Sequence, residues 1–222
     1  MRIKRTFDLV VTIAAMPIWV PTLVVCALLI ALLDGLPVFY VSQRRVGAAL
    51  KSIVKFRTMI RNADRAYNRS SVPVSGNVRF LNTPPDSPLY TRIGRLIERC
   101  AFTEIPQLFS VLSGDMSLIG NRPLPENVIA LLREVYPAID DRFLTPAGMT
   151  GPAQLVGRTE LTDTERLDLE TGYCRLAMHS GAWRLDFVIL VYTVLIAPGL
   201  MRALTLEEVH ALMHKYVRHG EG

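Results

Sequence analysis

Residues Ala101–Pro125 read AFTEIPQLFSVLSGDMSLIGNRPLP, and the rest of the chain is arranged around them. Thr103 is followed by Glu104, Pro106 and Gln107, which is the pattern of a helix N-cap and first turn. An apolar run reaches Leu112. Ser113-Gly114-Asp115 ends it, and Asn121-Arg122-Pro123 forms the next corner. One carboxylate at each end of a short helix, Glu104 and Asp115, with a fixed arginine after it, suits a phosphorylated substrate and a divalent metal. Glu126 to Tyr136 reads as a further helix.

Downstream, FLTPAGMTGPAQLVGR (143–158) carries Gly148, Gly151 and Gly157 and ends on Arg158. Glycines allow close backbone approach to a ligand, so this is a weak phosphate signal. Arg166 to Met178 is expected as a helix. Phe187 to Met201 is apolar but short for a span and holds Pro198-Gly199; a helix lying in the membrane interface, or packed on the first apolar segment, fits it better. Leu204 to Gly222 reads as an amphipathic helical tail. Its His210 and His214 lie four residues apart without a third ligand.

Upstream, Ile93 to Arg99 is a short amphipathic helix. Residues 60–92 are polar and rich in turns, either a substrate lid or variable surface. Residues 38–59 predict two short strands, Val38 to Ser42 and Ser52 to Phe56, around a turn at Gly47. Arg44, Arg45, Lys51, Lys55 and Arg57 cluster there. They form either a face toward solvent or lipid headgroups, or a phosphate site using one or two of them.

The 25 residues Leu9 to Leu33 carry no formal charge. A straight helix of that length, at about 1.5 Å per residue, crosses a hydrocarbon core of about 30 Å. Pro17 and Pro21 interrupt it and are expected to bend it. Arg2, Lys4 and Arg5 precede it and the basic strands follow, so the positive-inside tendency draws both ends to one face. A broken helix that enters and leaves one leaflet satisfies this, and a kinked full span is the alternative. The run is too long for a signal peptide and ends in no A-x-A-like site.

Composition agrees with a membrane-associated chain. Of 222 residues 50% are apolar, with a net charge of +5. The mean hydropathy is +0.27 and the pI near 9.3. This basic excess fits nucleic acid, an anionic membrane or phosphorylated ligands. The basic patch lacks interleaved aromatics and a nucleic-acid motif, which argues against nucleic acid. Cys26, Cys100 and Cys174 are far apart, which argues against a disulfide framework and a zinc site and for a reducing, cytosol-facing location.

The ordered motifs KRTFD, the proline-broken apolar segment, SQRRVG, KFRTM, TRIGR, TEIPQLFSVLSGDMSLIGNRPLP and TPAGMTGPAQLVGR resemble the bacterial sugar transferases. These are monotopic phosphoglycosyltransferases, and the likeness runs from about Arg2 to Met201. The resemblance implies a mainly α fold with a small β element. It implies a proline-broken re-entrant membrane helix (1–36), a compact cytosolic domain with interfacial amphipathic helices (37–203) and an amphipathic tail (204–222). It implies transfer of a sugar 1-phosphate from a nucleotide diphosphate sugar to polyprenyl phosphate, with Mg²⁺, in surface glycan assembly. The setting is the cytoplasmic face of the bacterial inner membrane, among membrane lipids and with a homo-oligomer or a partner transferase as an option. Catalysis in the family rests on an Asp-Glu pair whose aspartate attacks phosphorus.

Carried over residue by residue, the aspartate position is Thr103 and the glutamate is Glu104. Arg122, Arg158, Arg45 and Lys55 become the phosphate-binding set, Glu104 and Asp115 the metal ligands, and Pro21 with Pro17 the membrane kink. Glu98 stands where the family has an arginine, Val20 where it has a serine before the proline, and Asn121 where it has a proline. Two readings follow: an active transferase using Glu104, Thr103 or direct transfer, or a catalytically degenerate member that binds and serves a partner.

Overall fold

In the computed structural model, the described residues are 2–47, 49–63, 87–156, 161–178 and 182–217. The fold is mostly helical, with two small two-stranded sheets. Helix α1 (Arg2–Ala14) precedes α2 (Met16–Leu29), which continues as a π turn over Ile30–Asp34. The chain breaks at Ala15. Pro17 falls in the first turn of α2, where a missing N–H costs nothing, and Pro21 sits inside a continuing helix. The break therefore precedes both prolines.

Strands β1 (Phe39–Val46) and β2 (Ala49–Phe56) form an antiparallel hairpin in which Phe39 faces Phe56 and Tyr40 faces Lys55. Gly47 supplies the left-handed residue at φ +58°. Both strands run longer than expected from the sequence, through the basic residues. Helix α3 (Arg92–Arg99) starts on a Thr91 cap. Most of the long polar segment before it, 64–86, lies outside the described residues.

The segment after α3 departs from expectation. Thr103 caps no helix. Residues Ile105–Gln107 form a 3-10 turn whose N-cap, Glu104, makes no side-chain cap, and helix α4 spans only Leu108–Ser113. Gly114, at φ +89°, closes it. Arg5 donates to the carbonyls of Val111 and Leu112 at that end, where cations and hydrogen-bond donors are favoured.

Strand β3 (Ser117–Ile119) pairs in parallel with β4 (Gly148–Thr150). Between them lie α5 (Glu126–Val135) and a 3-10 segment, Pro137–Phe143. A Cβ on Gly148 would sit 2.1 Å from the Gly120 nitrogen, and one on Gly151 2.3 Å from the Gly120 oxygen. These glycines admit another stretch of backbone. At these two positions the close neighbour is main chain, and Gly157 and Arg158 of the same loop lie outside the described residues.

Helices α6 (Pro152–Leu155), α7 (Asp163–Leu176), α8 (Ala182–Ile196) and α9 (Leu206–Val217) complete the fold. The main core joins Val111, Ile119, Leu169, Tyr173 and Ile189, and Val209 and Met213 of the C-terminal helix lie inside it. A smaller core under α5 holds Leu124, Ile129 and Leu167. A third joins Cys26 and Ile30 of the apolar helix to Phe56 and Ile97.

Candidate functional site

The site forms where β2, the turn after α3 and the Asn121-Arg122 corner meet. The Phe56 N–H donates to the Thr103 carbonyl at 3.0 Å, so residue 103 is fixed beside the end of β2. Just before it the chain makes a Schellman turn. Phe102 N–H reaches the Ile97 carbonyl, Ala101 N–H reaches that of Glu98, and Ala101 takes the left-handed position at φ +58°. This turn brings residue 103 back onto α3. The Thr103 hydroxyl donates to Glu98 Oε2 at 2.7 Å.

Glu104 pairs with Arg122, Nη2 to Oε1, at 2.8 Å. The two side chains are 27% and 40% exposed, so the pair opens to solvent on one face. Glu104 raises the Arg122 pKa above its ordinary value. Lys55 completes the cluster. Burial pushes its pKa below the ordinary value and Arg122 adds to this, while Glu104 and Glu98 oppose it. Its ammonium also lies 5.4 Å from the centre of the Tyr40 ring, its cross-strand partner. Thr103, Glu104, Lys55 and Arg122 are thus brought together.

The other expected residues stand elsewhere. Arg45 pairs with Glu126 at 3.0 Å and lies over Phe143 at 4.9 Å. Asp115 takes an ion pair from Lys51 at 2.9 Å and a hydrogen bond from Ser113, and the Lys51 bond leads in holding its pKa below the usual carboxylate value. Roughly 15 Å of 3-10 and α-helix separates it from Glu104. Arg158 lies outside the described residues. Among the described residues, no group of three or more His, Cys, Asp or Glu is placed to hold a metal. Among the described residues, Glu104 and Glu98 are the carboxylates at this cluster, and Glu104 is the one paired with Arg122. That fits Mg²⁺, which binds through one or two carboxylates plus substrate phosphates.

Sequence reasoning missed what stands behind Arg122. Arg142 donates to the Arg122 carbonyl at 2.7 Å and pairs with Glu170 at 2.8 Å, both side chains 1% exposed. The Asn121 amide donates to the Arg142 carbonyl at 2.7 Å, which gives that asparagine a structural task. Arg166 is buried nearby. Burial lowers its pKa and raises that of Glu170, and their mutual attraction opposes both shifts. One signal was available, since Arg166 and Glu170 are four apart on α7 and so share a face.

The N-terminal charges also have tasks unseen in sequence. Lys4 reaches Asp186 at 2.8 Å, the Tyr173 hydroxyl and the Ile119 carbonyl. With Arg5 on α4, it packs α1 onto the body. At the far end of the apolar segment, Thr91 donates to Asp34 Oδ2 and Arg57 to the carbonyls of Asp34, Gly35 and Pro37.

The family described as Bacterial sugar transferase matches residues 1–198. The chain is 30% identical over 176 residues to the exopolysaccharide production protein ExoY of Sinorhizobium fredii, covering 77% of this chain and 76% of that protein. It is 31% identical to the UDP-N-acetylgalactosamine-undecaprenyl-phosphate N-acetylgalactosaminephosphotransferase of Aeromonas hydrophila, over 86% of this chain and 43% of that protein. It is also 31% identical to the undecaprenyl-phosphate galactose phosphotransferase of Salmonella typhimurium, over 78% of this chain and 36% of that protein. The chain therefore spans less than half the length of the last two.

Proposed function

Because the chain belongs to the bacterial sugar transferase family, we propose that it moves a sugar 1-phosphate from a nucleoside diphosphate sugar to a polyprenyl phosphate at a membrane surface. The cytoplasmic face of the bacterial inner membrane is the setting and surface glycan assembly the purpose. One observation carries this reading: a charged cluster of Lys55, Arg122 and Glu104, open to solvent at the Arg122–Glu104 pair, abuts the outward-facing apolar helix. Cys26 and Ile30 pack on Phe56 and Ile97, the immediate neighbours of Lys55 and Glu98. Ile18, Val24, Val25, Leu28 and Leu32 face outward from the same helix. A lipid-borne phosphate and a soluble diphosphate can then meet at one place.

In this reading Lys55 and Arg122 bind the diphosphate oxygens. Their charge stabilises the pentacoordinate phosphorus, whose oxygens gain charge in the transition state. Glu104 orients Arg122, and the buried Arg142–Glu170 pair fixes the corner from behind. Mg²⁺ would be held by Glu104 and the diphosphate, and when bound it neutralises phosphate charge.

The same observations support a helix that re-enters one leaflet. α1 is tied to the body through Lys4 and Arg5, and the end of the apolar segment through Asp34 and Arg57. Between those ends α2 lies along the body, with Trp19 edge-on to Phe109 at 5.3 Å.

The test is nucleoside monophosphate release by membranes carrying the protein, with a panel of nucleotide sugars and polyprenyl phosphate. Release that depends on the lipid phosphate is expected. The hydroxyl at position 103 favours a second reading, a binding member without turnover. Nucleotide-sugar binding without release, beside an active Asp-Glu relative, would establish that one and defeat transfer.

A further inference from the structure

We propose that Glu98 is the nucleophile of this site, carrying the phosphosugar during turnover; this rests on the transfer reading above. The reaction exchanges one phosphoanhydride for another. A covalent intermediate must therefore hold the phosphosugar at a comparable transfer potential. A carboxylate does so, because it forms an acyl phosphate, which is a mixed anhydride. A threonine would form an ordinary alkyl phosphodiester, too stable to hand its phosphorus on to a phosphate. Thr103 is thus chemically ill-matched to the role, and a carboxylate has to be found.

Two carboxylates act on Lys55 and Arg122 together, Glu104 and Glu98. Glu104 Oε1 is engaged by the Arg122 guanidinium, and its task is to hold that cation on the phosphate. Glu98 Oε2 receives the Thr103 hydroxyl at 2.7 Å. The left-handed turn at Ala101 and the Phe56-to-Thr103 backbone bond hold the two in register. The Glu98 carboxylate accordingly lies within hydrogen-bond reach of the residue 103 side chain. A negative side chain in the last turn of α3 opposes the helix dipole, so its place there does not serve the helix.

The steps balance without a proton change on the carboxylate. A Glu98 oxygen attacks the β-phosphorus and a carboxyl O–P bond forms. The bond from that phosphorus to the bridging oxygen breaks, and nucleoside monophosphate leaves with the electron pair. An oxygen of polyprenyl phosphate then attacks the same phosphorus and expels the carboxylate, ionised as at the start. Thr103 is a positioning residue that orients one carboxylate oxygen.

The experiment uses the full chain in lipid nanodiscs with sugar-labelled nucleotide sugar and no acceptor, followed by quenching and trypsin. Cleavage after Arg99 puts Glu98 on a different peptide from Thr103 and Glu104. Label is expected on the Glu98 peptide, released by hydroxylamine as acyl phosphates are. Glu98→Gln should abolish it and lower turnover by at least roughly 100-fold, with thermal unfolding unchanged and nucleotide-sugar binding retained. Thr103→Ala should still label, more slowly and with kcat reduced while KM holds, and Thr103→Ser should restore the rate. Label on the other peptide, stable label, or Glu98→Gln with normal turnover overturns Glu98 as nucleophile. So does monophosphate release with no labelled protein. A wild-type protein that releases no monophosphate with any nucleotide sugar overturns the transfer reading itself, and this proposal with it.

Discussion

Ala101 is a residue whose backbone and identity disagree. Its φ of +58° is a left-handed value, which costs a non-glycine residue about 1–2 kcal/mol. Glycine would close the same Schellman turn without that cost. Ala101→Gly is expected to stabilise the protein by about 1 kcal/mol in denaturant unfolding, less whatever entropy glycine adds to the unfolded chain. No gain would show that the turn is unstrained. Because no glycine marks this turn, nothing in the sequence announced that Thr103 folds back on Glu98. A cap was the natural reading of Thr-Glu-x-Pro-Gln, and the carboxylate five residues earlier took the hydroxyl.

Lys55 makes a second prediction at this scale. Its folded pKa lies below the ordinary 10.5 because of burial. The cation is present below that folded pKa and is lost as pH rises through it, earlier than for a solvated lysine. Nucleotide-sugar affinity should therefore weaken on the alkaline side before pH 10.5. Lys55→Arg should flatten the profile, since arginine keeps its charge. An unchanged profile in Lys55→Arg would remove Lys55 from the phosphate contacts.

At the scale of elements, α3 and α7 carry the site from behind. A Cβ on Gly94 would sit 1.9 Å from the Thr58 carbonyl oxygen, which accepts the Thr91 N–H at 3.1 Å. Alanine has the better helix propensity by about 1 kcal/mol, but the clash is with backbone. Gly94→Ala is expected to cost about 2 kcal/mol or more net, measured by thermal unfolding. The buried Arg142–Glu170 pair on the other side is unforgiving to single changes. Glu170→Leu strands a buried guanidinium and should cost about 3–5 kcal/mol, whereas Arg142→Met with Glu170→Leu should recover much of it. Equal costs for the single and double variants would contradict the pairing.

The hairpin, α3, the Gly-Asp turn and the apolar helix were all legible, because apolar periodicity and turn residues encode them locally. The buried ion pair was not, since a charged residue reads as surface until its partner, 28 positions away, is seen. The glycines of 148–151 pack on main chain, and close approach to a backbone and to a ligand leave the same trace in sequence.

For the molecule as a whole, the proposed membrane placement rests on two tethers on one body. Lys4 and Arg5 fix the start of the apolar segment, and Asp34 and Arg57 fix its end. Positive-inside charge pointed the same way from sequence, although Lys4 and Arg5 turned out to act by packing. Arg2→Cys and Arg44→Cys variants in sealed inverted vesicles should both react with a membrane-impermeant maleimide from the cytoplasmic side. Labelling from opposite sides would contradict the re-entrant reading and restore the full span.

The central claim is that this membrane-apposed cluster transfers a sugar phosphate to lipid. It is tested most directly by following sugar label from nucleotide sugars into the organic phase, using the full chain in nanodiscs with and without polyprenyl phosphate. The account predicts lipid-phase label that requires polyprenyl phosphate and matches the nucleoside monophosphate released. Label confined to the aqueous phase for every nucleotide sugar, beside an active relative, would contradict it.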